Sequence, residues 1–307
     1  MSARTTTSAR SAAGTSSSRA RPVLLAATAG LAAVAVVGGI VLVGNGGSES
    51  DAVTTSGAPF GMAHVHGLGI DPKDGALLAG THYGAFRVSQ DGTVEQVGPT
   101  QDFMGFTVAG ADNYLASGHP GADQADAPPN LGLIESTDGG TSWDSLSLRG
   151  EVDFHTLEAR HDRVYGHAGG RLLVSRDTKT WDERASIRLA DLAVSPDDPD
   201  TLVATTEQGL SVSADGGETF TVVSDAPLMV LVTWTDEGAI VGVDPQGIVH
   251  VSDDGGTSWE RRGTVGGQPA ALTAAADVVY VATADGQIVE STDGGRAFDV
   301  RYQEAAR

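Results

Sequence analysis

The sequence predicts an all-β protein, a six-bladed β-propeller preceded by one transmembrane helix. Three observations predict it: a recurring phrase Ser-x-Asp-Gly-Gly-x-x-aromatic, a spacing of about 39 residues between copies, and a charge-free apolar run near the N-terminus.

The N-terminal elements come first. Residues 1–22 form a Ser/Thr/Arg-rich basic head, in which Arg4, Arg10, Arg19 and Arg21 are unopposed by any acid. The run 23–43 then carries no charged side chain over 21 residues, the length a helix needs to cross the hydrocarbon core. A cleaved signal peptide would end a shorter apolar stretch at a small-x-small site. Here the run passes directly into Gly44-Asn45-Gly46-Gly47-Ser48, so the expectation is an uncleaved signal anchor. The positive-inside rule keeps the arginines cytoplasmic and places the rest outside, on a single-pass protein of the cell membrane. Residues 44–59, rich in Gly, Ser and Thr, read as a flexible linker.

Repetition organises the remainder. Four close copies begin at Ser136, Ser213, Ser252 and Ser291, and two weaker ones at Ser89 and Ser175. Their spacings are 47, 39, 38, 39 and 39 residues, one four-stranded blade per repeat. Six blades therefore fill 60–302, leaving a short tail at 303–307. The longer first spacing reflects an insertion around Gly121–Asn130, whose Pro and acidic residues mark a surface loop. In the fourth repeat the expected strands are 189–195, 201–205, 209–213 and 219–223, with Asp-Gly-Gly turning the last hairpin. The aspartates of the six turns are Asp91, Asp138, Asp177, Asp215, Asp254 and Asp293. Each carboxylate is expected to accept hydrogen bonds from its own turn while glycine supplies positive φ. The turn lacks the alternating oxygen ligands of a calcium loop, so its role is structural.

These phrases resemble the Asp-box (BNR) repeat propellers, which include sialidases, sortilin-type receptors and photosystem II assembly factors. The opening His64-Val-His66-Gly-Leu68 and Thr81-His82-Tyr83-Gly84 resemble bacterial extracytoplasmic proteins labelled glycosyl hydrolase or sialidase-like. The resemblance implies the fold and leaves function open. Sialidase chemistry would need three convergent arginines, a tyrosine nucleophile with a glutamate, and an acid/base carboxyl. The family's Phe-Arg-Ile-Pro motif has only Phe86-Arg87-Val88-Ser89 as its nearest match, without proline, and no arginine trio opens the inner strands, so a sialidase is not expected.

Composition narrows the partners. Beyond residue 43, 15 basic residues face all 40 acidic ones, which disfavours nucleic acid and an anionic membrane surface for the folded part. There is no cysteine, which removes disulfides, thiolate metal sites and a cysteine nucleophile together. A monomer is expected.

Seven of the eight histidines lie between 64 and 167. Repeat alignment places His66, Met104 and His155 at the start of the innermost strand. His82, His119 and His167 fall at the end of the second strand, and Glu207, Asp244 and Thr283 lie nearby in repeats four to six. His64, two residues before His66, faces the same side of an extended strand. Both sets lie on the face opposite the Asp turns. Imidazole suits zinc, copper, nickel or iron, and a thioether from Met104, with Met62 close by, shifts the preference toward copper. Three readings stay open for this sector: a copper or zinc site, histidines that tie loops to backbone, or catalysis without metal. His161 is expected to be solvated and His250 to pack inside a strand. The function expected is a binding module for a metal, or for an extracytoplasmic protein or glycan; the alternative is a glycoside hydrolase using channel carboxylates, with Glu207 and Asp244 as candidates.

Overall fold

The computed structural model describes residues 61–304. The basic head, the 23–43 segment and the 44–59 linker lie outside the described residues, among which no helix is long and apolar enough to cross a membrane. The described chain is an all-β, six-bladed propeller: six four-stranded antiparallel sheets, each made of strands consecutive in sequence. The innermost strands are Val65–Ile70, Asp102–Gly110, Thr156–Arg160, Leu189–Val194, Leu231–Trp234 and Pro269–Ala275. Each packs on the next, and the sixth returns to the first.

The repeated turns show why the phrase recurs. In the second blade the Ser136 hydroxyl donates to Asp138 Oδ1 (2.9 Å) and accepts from the Gly140 amide (2.8 Å), while the Ser142 amide donates to the same carboxylate (2.9 Å). The Ser213/Asp215, Ser252/Asp254 and Ser291/Asp293 pairs repeat this serine bridge. Donation from the Thr219 and Ser258 hydroxyls, and then from amides, holds Asp215 and Asp254 down to about 2. The shortened Asp177 turn reaches about 2 through the Thr180 and Lys179 amides. The fourth strand of that blade is only Thr221–Val222, shorter than expected, although Thr219 bonds Asp215 through amide and hydroxyl as its counterparts do in other blades.

Each turn also serves its neighbours. Within a blade, Gly139, Gly216 and Gly294 donate to the carbonyls of Asp112, Asp200 and Asp277 in the first hairpin. This fixes the Asp turns at the end of the blade away from the start of its innermost strand. Toward the preceding blade, the Ala185 and Gly263 amides donate to the Gly217 and Gly295 carbonyls. At Gly98 an added Cβ would come within 2.1 Å of the Gly140 carbonyl oxygen, so the outer strand of blade one and the second turn pack backbone to backbone. Glycine, with φ +73°, is what the approach allows.

Cores lie between blades. Met62 is 1% exposed and packs with Val65, Phe86, Ala282 and Tyr302 at the junction of the first and last blades. Among the described residues no strand is exchanged there. The ring closes through this cluster, through the Ala63 amide on Glu304 Oε2 (3.1 Å), and through Arg301 Nη1 on the Gln90 carbonyl (2.5 Å).

Buried polar links join other blades. Tyr114 donates its hydroxyl to Asp71 Oδ2 across 2.6 Å, both side chains being buried. Tyr114→Phe should cost about 1.5–3 kcal/mol, because it removes a hydrogen bond to a buried carboxylate. Chemical denaturation measures this, and a variant as stable as wild type would show that the link contributes nothing.

Candidate functional site

The innermost strands are irregular where the candidates sit. In blade one the register passes from Val65↔Thr81 to Gly67↔Gly80, skipping His66, and in blade two from Phe103↔Gly118 to Gly105↔Ser117, skipping Met104. A bulged residue is released from the ladder and its side chain re-aimed. His66 and Met104, together with His155, line a cavity of about 450 Å³ in the central channel. Met62 does not join them, because the closing cluster buries it.

Two His–Asp groups form beside this mouth. In the first, His66 Nε2 lies 3.2 Å from His82 Nε2, and His82 Nδ1 lies 2.5 Å from Asp102 Oδ1. The carboxylate only accepts, so Nδ1 of His82 carries a proton, and in the neutral ring Nε2 is a lone pair facing His66. Burial, and then the His82 charge, push His66 down to about 4. The exposed His64 ring stands 5.5 Å from His82 and 6.5 Å from His66, centroid to centroid.

The second group joins blades two and three. Asp153 Oδ2 lies 3.0 Å from His155 Nε2 and 3.5 Å from His119 Nε2, while His119 Nδ1 meets the Pro129 carbonyl at 2.9 Å. That carbonyl belongs to the inserted loop, which contains a short 3₁₀ turn at Ala122–Gln124. The hydrogen bond to Asp153 raises His155, against its burial.

The remaining histidines are ties. His167 is buried and donates Nε2 to the Ile187 carbonyl (2.9 Å), which occupies that nitrogen, while its own carbonyl accepts the His155 amide (3.0 Å). His161, expected to be solvated, instead donates to the Ser195 carbonyl (2.8 Å) from a backbone at φ +56°. His250 bonds Asp244 Oδ2 (3.1 Å), and Asp244 also accepts the Gln246 and Ile248 amides. Asp244 is therefore a turn-holder, and Glu207 is exposed; neither lines the cavity. Among the described residues, no set of three or more His, Asp or Glu side chains converges on one metal-holding point.

Of the four carboxylates lining the channel, Glu158, Asp191, Asp236 and Glu237, the first two are each pushed up to about 7, chiefly by burial. Asp191 accepts the Leu192 and Val232 amides at 2.9 Å each, spanning blades four and five. Arg160 spans the channel floor, donating to the Val194 and Trp234 carbonyls (2.9 and 3.1 Å) and to Asp236. The channel is thus a polar cup with imidazoles at its rim and a guanidinium across its base.

No protein-family model matches the chain, and no curated protein sequence matches it. Solved structures do. A chain of the nidogen/laminin complex is 10% identical with a TM-score of 0.61, over 75% of this chain and 93% of that one. A gluconolactonase from Xanthomonas campestris is 13% identical with a TM-score of 0.56, over 73% and 84%. YCF48 bound to D1 peptide is 16% identical with a TM-score of 0.48, over 78% and 82%. At such identities the likeness is one of fold, and the class of protein defined here is a six-bladed β-propeller with a His–Asp rim.

Proposed function

We propose that this chain is an extracytoplasmic binding module of the Asp-box type, anchored by residues 23–43, whose rim holds a transition-metal ion between His66 and His82. The observation that carries this is the Nε2 to Nε2 separation of 3.2 Å. Two imidazoles bound to one ion at about 2.0–2.1 Å with tetrahedral angles lie about 3.3 Å apart. A linear two-coordinate copper(I) site would need about 4 Å, so the geometry favours zinc over the copper that a methionine ligand suggested. Asp102 stands behind His82 where a carboxylate fixes the tautomer of a ligating histidine. His64 and water supply the remaining positions with a side-chain rotation.

Calorimetric titration of metal-free, untagged protein with zinc tests this. Wild type should bind zinc at this site, and His66→Ala should abolish that equivalent while leaving metal-free unfolding nearly unchanged. Asp102→Asn should weaken binding by about 10–100-fold. Stoichiometric binding unaltered by His66→Ala, or no binding at all, would mean that a single shared proton joins the two rings.

Two observations favour other readings. Glu158, a channel carboxyl pushed up to about 7, suits a glycoside hydrolase acid; hydrolysis of an aryl glycoside, lost in Glu158→Gln, would establish it. The fold shared with a chain of the nidogen/laminin complex suits a protein partner, which pull-down with the full chain would reveal.

A further inference from the structure

We infer a second metal site on the neighbouring pair of blades, formed by His119, Asp153 and His155. It uses none of the ligands of the His66–His82 pair and stands or falls separately from it.

The first argument is a mismatch. His119 Nδ1 lies 2.9 Å from the Pro129 carbonyl, which can only accept, so Nδ1 carries the proton. In the neutral ring Nε2 is then a lone pair, and it faces Asp153 Oδ2, itself an acceptor, at 3.5 Å. Two acceptors face each other with no donor between them. A cation at that point satisfies both. Fixing a histidine tautomer through a backbone carbonyl is also how ligating imidazoles are oriented.

The second argument is that Asp153 lacks other support. Its Oδ1 is buried with no hydrogen-bond partner, and its side chain is only 16% exposed. Burying a carboxylate this way costs several kcal/mol unless it is paired. Its Oδ2 contacts are the two histidines, at 3.0 and 3.5 Å. These separations bracket the edge of about 3.3 Å expected between nitrogen and oxygen ligands on a tetrahedral ion at 2.0–2.2 Å. The third edge is not closed in this structure, where no three such side chains among the described residues converge on one point. His155 lies on Asp153 Oδ2 and is 56% exposed, which leaves its ring room to turn toward His119, the movement this site requires. A donor set of two imidazoles and a carboxylate suits zinc and disfavours copper(I).

The third argument is the placement of the insertion. The one extended repeat spacing adds a loop beside the second strand of blade two, and that loop supplies the Pro129 carbonyl that orients His119.

Zinc titration of the metal-free full chain, followed by elemental analysis after buffer exchange, is the test. Two equivalents are expected for wild type. His119→Ala and Asp153→Asn should each retain one, and His66→Ala should also retain one but lose the other. Cobalt(II) would report the environment directly, through visible bands that change in Asp153→Asn. Metal-free melting of each variant guards against misfolding, and Asp153→Asn keeps the side-chain shape if His119→Ala unfolds. If Asp153→Asn and His119→Ala both bind as wild type, the second site falls whatever His66→Ala does. If they lose an equivalent while His66→Ala loses none, the second site stands and the His66–His82 reading falls.

Discussion

Truncating Phe154 to alanine is expected to cost about 3–5 kcal/mol, the largest single loss a non-glycine substitution should produce here. The ring is fully buried, lies 4.9 Å from Trp181 between ring centres, and belongs to the cluster holding Leu115, Leu133, Leu157 and Val164. Its space is reserved by a neighbour: a Cβ on Gly166 would come within 2.5 Å of the Phe154 ring, so this strand has given up a side chain to the aromatic. The Phe154 amide donates to Ser117 Oγ (2.9 Å), which pins the turn entering the third blade. Alanine leaves a void that this backbone cannot collapse into. Denaturant unfolding measures the loss, and Phe154→Leu, which refills much of the volume, should recover a large part of it. A loss below about 1.5 kcal/mol would show that the interface relaxes freely. Phe154 also sits between Asp153 and His155, so zinc stoichiometry in the alanine variant should fall by the equivalent assigned to that pair.

Blade architecture was legible in the sequence because the folding device is local. Ser252, Asp254, Gly256 and Ser258 satisfy one another within seven residues, so the phrase carries its own hydrogen-bond pattern wherever it occurs. Repeat phase located the rim for the same reason, since His66, Met104 and His155 occupy matching places and line one cavity. What escaped was the partner of each imidazole. Asp102 stands two residues before Met104, and Asp153 two residues before His155, in the alignment column that holds His64 ahead of His66. Extended to the next two repeats, the column that holds His64 supplies both carboxylates. His167 and Met62 show the limit of periodicity: equivalence in register does not say whether a side chain meets the channel, a neighbouring carbonyl or the closing core. Glu158 and Asp191 were missed because burial, and not spacing, makes them unusual.

Stability should fall as pH rises from about 4.5 to 8, and Glu158→Gln should flatten part of that slope. Glu158 is pushed up to about 7, first by burial and then by Asp191 and Asp236, with Arg160 opposing. A carboxyl whose folded pKa lies above its unfolded value makes the native state the better proton binder, so ΔG of unfolding decreases with pH across that interval. Its contribution is fully present below about 4.5 and is lost by pH 8. A shift of this size corresponds to at most about 3 kcal/mol, reduced by whatever water the channel admits. Asp191, also pushed up to about 7, acts in the same direction, but its two amide bonds make Asp191→Asn a poorer probe than Glu158→Gln. The turn aspartates behave oppositely. Asp177, Asp215 and Asp254, held at about 2, contribute above the ordinary carboxyl range and lose that contribution as pH falls toward 2. His66 opposes the channel acids as well, since its folded value of about 4 lies below the unfolded one and its contribution is lost as pH falls from about 6.5 to 4. The informative quantity is therefore the difference between wild type and Glu158→Gln, measured by urea unfolding in metal-free buffer at pH 5 and pH 8, where the turn and rim groups cancel. The variant should be stabilised relative to wild type at pH 8 and not at pH 5. An unchanged difference across that range would mean that Glu158 ionises freely in the channel, and the acid in the cup would then carry an ordinary charge.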